Sequence, residues 1–198
     1  MMLAAVDQLH LLDARRSVAF EALCCERLLP AFERFADEEQ RSGSPVLRDA
    51  LDLAWQRVLG ERAAGEAATA RADAEQVIAD LDADFASPFA PLAQNAAIAI
   101  VRMLEDLEQA KPLRAAKIAE LAVDAVYVLV GDNLVPADAD EEALWQHPLV
   151  REELECQKHD IASLRATGER DQATIEDLRW RAASVGQARV EAPARRDA

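Results

Sequence analysis

Few side chains in this chain have the type and spacing that chemistry needs. Cys24-Cys25-Glu26-Arg27 sets two thiols beside a carboxylate and a guanidinium, a grouping in which Glu26 would act as acid or base to a reactive Cys25. The same residues also suit a helix interior, with both cysteines as small core hydrophobes and Glu26 and Arg27 as surface or inter-helix ion-pair partners. No histidine lies nearby in sequence, which favours the second reading. Glu120 and Asp124 stand one helical turn apart. Carboxylates on facing helices bind paired metals or serve as bases, but the companion Glu-x-x-His motifs are missing. Their other reading is a narrow polar stripe paired with Lys117 and an arginine such as Arg27 or Arg102. Cys156 and His159 have a spacing that would let them share a metal with Cys24, Cys25 or His147, yet no second spaced pair completes a zinc site. Phosphate-binding glycine loops, His-Glu-x-x-His and serine elbows do not occur. The expectation is no catalytic residue, no metal and no cofactor, with Glu26, Arg27, Glu120 and Asp124 as the polar-site candidates.

Composition limits the fold that positions them. The 198 residues are 51% hydrophobic but only 5% aromatic, so Ala, Leu and Val dominate the apolar mass and an all-α single domain is expected over 1–186. Residues 187–198 read as a disordered tail. The formal charge of −15 opposes nucleic-acid binding, because no local basic patch offsets it. No early positive charge precedes an apolar run, and Asp7 and His10 interrupt any leader. The most apolar stretch, 118–130, is too short to span a membrane. Three cysteines make no disulfide framework, and a cytoplasmic protein with reduced thiols is expected.

Punctuation along the chain predicts about seven or eight helices. A short one covers Leu3 to Leu12, and Ser17 is the expected cap of the next, which carries Pro30 as a kink. Ser44-Pro45 marks a helix start and Gly60 its stop. Further helices are expected from Arg71 to Phe85 and up to Lys111. Leu113 to Val130 is apolar around most of its circumference apart from Lys117, Glu120 and Asp124, so it is the expected central buried helix, stopped by Gly131. A short helix near Glu141 to Gln146 is capped by Asp138 or Asp140.

From Val150 to Val185 a strict heptad register runs through Leu154, Gln157, Ile161, Leu164, Gly168, Asp171, Ile175, Leu178 and Ala182. Gln157, Gly168 and Asp171 interrupt the apolar stripe. A continuous helix to Val185 would be about 53 Å long, longer than a compact chain of this size is wide, so either Thr167-Gly168 bends it back or its projecting half meets a second copy. The expectation is a continuous helix weakened at Gly168, with a homodimer through it as a candidate assembly.

Several stretches together are similar to one family. They are FEALCCERLLPAFERF from Phe20 to Phe35, LRDALDLAW from Leu47 to Trp55, DEEALWQHPLVREELECQ from Asp140 to Gln157, and the later Glu169-Arg170-Asp171 and Leu178-Arg179. On these residues the chain resembles the YjaG-like bacterial proteins of unknown function. The resemblance implies an all-helical cytosolic fold with no established activity and no catalytic residues to carry over. Asn95 and His147 depart from the family pattern, where an acidic residue and an asparagine cap are usual.

The functional expectation is a non-enzymatic, acidic protein-interaction module, with a basic protein as natural partner. The alternatives are an immunity-type binder covering a toxin's basic active site and an enzyme using Glu120 and Asp124.

Overall fold

The computed structural model describes residues 7–60, 65–81, 87–109, 114–136, 138–168 and 171–191. Among these residues stand eight α-helices and no strand, the all-α bundle that the composition predicts. A single 3-10 turn, Leu9–Leu11, replaces the short helix expected at the start, whose first residues lie outside the described ones. It leads into α1, Ala14–Glu38, which runs through Pro30 without ending. Asp13 caps α1, its Oδ1 accepting from the Arg16 amide at 2.8 Å, while Ser17 is buried inside the helix and caps nothing.

Helix α2, Ser44–Leu59, carries Pro45 in its first turn and ends at Gly60 in the left-handed region, φ +86°. The Ser44 hydroxyl makes no cap. Helices α3, Ala67–Ala79, α4, Ala90–Gln109, and α5, Ala115–Asn133, follow. Phe85 and Leu113 lie outside the described residues, and Gly131 is inside α5 rather than after it. Asp140 caps α6, Glu141–Gln146, and the His147 ring accepts from the Leu149 amide at the start of α7, Pro148–Ala166. The chain closes with α8, Gln172–Glu191.

The heptad segment is therefore two helices, not one. Thr167 is extended, with φ −70° and ψ 131°, and the chain reverses so that α8 lies antiparallel to α7. Arg181 reaches Asp160, and Arg189 reaches Glu153, pairs that one straight helix would hold about 30 Å or more apart. Each interruption of the stripe has a use here. Gln157 donates to the Ala119 carbonyl at 3.0 Å, Gly168 occupies the turn, and Asp171 accepts from Thr174 N and Oγ1 at 3.1 and 2.6 Å as a helix cap. The stripe that pointed to a second copy, including Val150, Ile161, Leu164, Ile175, Leu178 and Ala182, is buried within the chain itself. Helix α8 continues through Glu191 with Arg189 buried, past the expected start of a disordered tail; residues 192–198 lie outside the described ones.

The central helix is α1, not 113–130. It packs against α2, α4, α5, α7 and α8, and every residue from Ser17 to Phe32 is buried. Helix α5 is buried over most of its circumference, as its pattern predicts, but lies at one side with Lys117 and Asp124 open to solvent. Apolar content alone misplaces the centre, because α1 hides Glu21, Glu26 and Arg27 by pairing or protonating them. The apolar share of its interior includes Phe20, Leu23, Leu29 and Phe32, each worth roughly 1.5–3 kcal/mol on burial.

Candidate functional site

Arg27 points from α1 into the hairpin of α7 and α8. Its Nε donates to Glu153 Oε2 at 2.9 Å, its Nη2 to Glu153 Oε1 at 3.1 Å, and its Nη1 to Asp160 Oδ2 at 2.6 Å. Arg189 Nη1 adds a bond of 2.7 Å to Glu153 Oε2, Arg181 Nη2 one of 2.5 Å to Asp160 Oδ1, and Gln157 one of 2.9 Å to Glu153 Oε1. Arg189 also reaches Glu152 at the surface. Three guanidinium groups thus face three carboxylates, and the sum is neutral. Burial works to raise the Glu153 carboxyl. The charges of Arg27 and Arg189, with hydrogen bonds from Arg27 and Gln157, outweigh it and hold the group down at about 2. Helix α8 meets α1 closely here: a Cβ on Gly186 would lie 2.6 Å from the Arg27 carbonyl oxygen.

Glu26, one residue earlier, faces the opposite way, toward α2. It accepts from Arg48 Nη1 at 2.8 Å, Trp55 Nε1 at 2.9 Å and Arg179 Nε at 2.9 Å. Arg179 also pairs with Asp52, and its guanidinium lies 5.5 Å from the Trp55 ring centroid. Glu26 and Arg27 therefore belong to two separate networks, and Glu26 is bound to cations and an indole rather than to a thiol. Burial pushes the thiols of Cys24 and Cys25 well above their usual range, the reverse of what a nucleophile needs.

A third buried group sits farther along α1. Glu21 is fully buried, and burial together with the adjacent Asp106 pushes its carboxyl up to about 9, so it carries its proton at neutral pH. Asp106 in turn accepts from the Arg114 amide at 2.8 Å and from Arg114 Nη1 at 2.5 Å.

Glu120 and Asp124 are not in any of these interiors. Glu120 is 39% exposed and pairs with Lys117 at 2.9 Å, and Asp124 faces solvent; neither meets Arg27 or Arg102. Among the described residues no three His, Cys, Asp or Glu side chains are grouped to hold a metal. Glu153, Asp160, Arg189 and Glu21 escaped sequence reasoning. Glu153 and Asp160 flank Gln157 on α7 at i−4 and i+3, so a carboxylate pair beside a seam amide was the available signal.

The open surface offers a different kind of site. Between α2 and α3 runs a groove of about 550 Å³ walled by Asp49, Asp52, Glu66 and Asp73 with Val46, Leu53 and Ala70 at its base. Among the described residues no Lys or Arg lines it. The carboxylates of Glu26, Glu153 and Asp160 are taken up by arginines, while Glu21 Oε1 and Oε2 and Arg189 Nη2 are buried without a hydrogen-bond partner among the described residues; the groove, by contrast, presents carboxylates to solvent.

Comparison with known proteins gives the family without an activity. The chain belongs to the family described as "Protein of unknown function (DUF416)", whose model matches residues 4–190. A solved DUF416 family protein from Shewanella baltica OS155 is similar in fold, with a TM-score of 0.78 at 20% identity over 90% of this chain and 92% of that one. No curated protein matches.

Proposed function

We propose that this DUF416 family member is a non-enzymatic, acidic interaction protein that receives a basic segment of a partner protein in the α2–α3 groove. The observation that carries the reading is the groove itself: four carboxylates, of which Asp52 is paired with Arg179, and no Lys or Arg among the described lining residues, around an apolar base on a chain of formal charge −15. Opposite charge accelerates encounter and makes binding fall with salt. The resemblance to YjaG-like proteins is the finer placement supported by the motifs around Cys24-Cys25-Glu26-Arg27 and Pro30. Free cysteines, two of them buried, support a cytoplasmic setting.

Titration of the full chain with a short lysine- and arginine-containing peptide tests this. Binding is expected to weaken between about 50 and 200 mM salt and to weaken further with Asp49→Asn plus Asp73→Asn. Equal affinity for the basic peptide and an acidic control refutes the reading. An immunity-type role is the special case in which the basic partner is a toxin, and an adjacent toxin gene is its discriminating sign. The enzyme alternative rested on Glu120 and Asp124 as buried carboxylates, and it loses its support with their exposure.

A further inference from the structure

Helix α8 sorts its charges by face. Arg179, Arg181 and Arg189 all turn toward the bundle, where they meet Glu26 and Asp52, Asp160, and Glu153 with Glu152. Its outer face keeps Glu176, Asp177 and Glu191 exposed, with no cation among them. In their midst Trp180 is 71% exposed, and its indole N–H meets no acceptor among the described residues. Glu176 and Asp177 lie one turn before it, and the small Ser184 one turn after, on the same side of the helix. An exposed tryptophan with small and acidic neighbours has no role in this bundle's core, which Trp55 fills instead.

We propose that this outer face of α8 is a docking surface for an arginine-bearing segment of a basic partner, with Trp180 as the anchor. A guanidinium stacked on the Trp180 face gains a cation–π contact, while Glu176 and Asp177 lie within reach of its N–H groups. Charge complementarity selects the occupant: a second copy of this chain would bring the same carboxylates against themselves. The proposal rests on the basic-partner reading above and extends it to a second surface. The two surfaces join at the Arg179–Asp52 pair, since Asp52 also walls the α2–α3 groove.

The test uses the full chain at about 150 mM salt with three probes: an arginine-rich peptide, its lysine counterpart and an acidic control. Trp180→Ala is expected to weaken the arginine peptide about tenfold or more, as loss of an aromatic hot spot does, and to erase its preference over the lysine peptide. Glu176→Gln with Asp177→Asn should weaken it less and lower the salt dependence. Leu11→Ala, which truncates another exposed large hydrophobic side chain away from this face, serves as the control, and a thermal melt checks each fold. If Trp180→Ala binds like wild type while the groove variants weaken, the proposal falls and the groove reading stands. If wild type binds no basic peptide, both fall. A wild-type dimer that Trp180→Ala converts to monomer would make the occupant a second copy and overturn the proposal.

Discussion

Arg27→Met removes the cation that joins α1 to the α7–α8 hairpin while keeping much of its volume. It leaves Glu153 with Arg189 and Gln157, and Asp160 with Arg181, so the six-group network goes from neutral to one net negative charge at a site where Glu153 and Asp160 are at most 1% exposed. Removing one partner of a buried pair costs about 3–5 kcal/mol, because the remaining charge stays desolvated. That is a large part of the 5–15 kcal/mol typical of a domain. Acid titration gives an independent measure. In the wild type Glu153 is lowered from 4.5 to about 2, against the opposing effect of burial. A depressed folded value means stability that is complete above the unfolded value and is lost as pH falls toward 2. The magnitude is roughly 3 kcal/mol. Urea unfolding followed by circular dichroism at pH 7, and again at steps from pH 5 to 2.5, reads both effects. Arg27→Met should be destabilised at pH 7 and should lose less further stability across the acid range than wild type. A loss under about 1 kcal/mol at pH 7, or an unchanged acid slope, refutes the claim that Arg27 holds Glu153 ionised.

Glu21→Gln tests the opposite kind of buried carboxyl. Its folded value is raised to about 9, so the wild type loses stability as pH rises from the unfolded value toward 9. The amide should stabilise the protein at pH 8 by about 2–4 kcal/mol and flatten the decline between pH 5 and 9, as read by urea unfolding. Two glycines of the C-terminal region should respond differently in thermal melts. Gly186→Ala, whose Cβ would press on the Arg27 carbonyl, should lose about 1–3 kcal/mol, while Gly168→Ala, with open space around it, should change by no more than about 0.5 kcal/mol. Glu120→Gln with Asp124→Asn, both at the surface, should leave stability within about 0.5 kcal/mol; a much larger change would return these carboxylates to a functional role.

Local signals read from the chain held wherever one residue decides its own neighbourhood. Gly60 stops α2 because only its backbone takes the left-handed conformation readily, Asp140 caps α6 because its carboxylate reaches an amide three residues on, and the all-helical character of the described residues follows from composition. The apolar sides of α2 and α5 were legible for the same reason, since helical periodicity is a property of short segments. Tertiary structure decided what depends on distant residues. Ser17 and Asp13 were both able to cap, and packing of Ser17 into the bundle left the role to Asp13. The strict heptads were equally compatible with one long helix or a hairpin, and reversal at Thr167-Gly168 won because it brings Arg181 and Arg189 onto Asp160 and Glu153. The same contacts make the charged α1 the centre of the fold. Charge is excluded from an interior only while unpaired, and Arg27 finds its carboxylates more than a hundred positions away, while Glu26 draws on Arg48 and Trp55 in the next helix as well as on the distant Arg179.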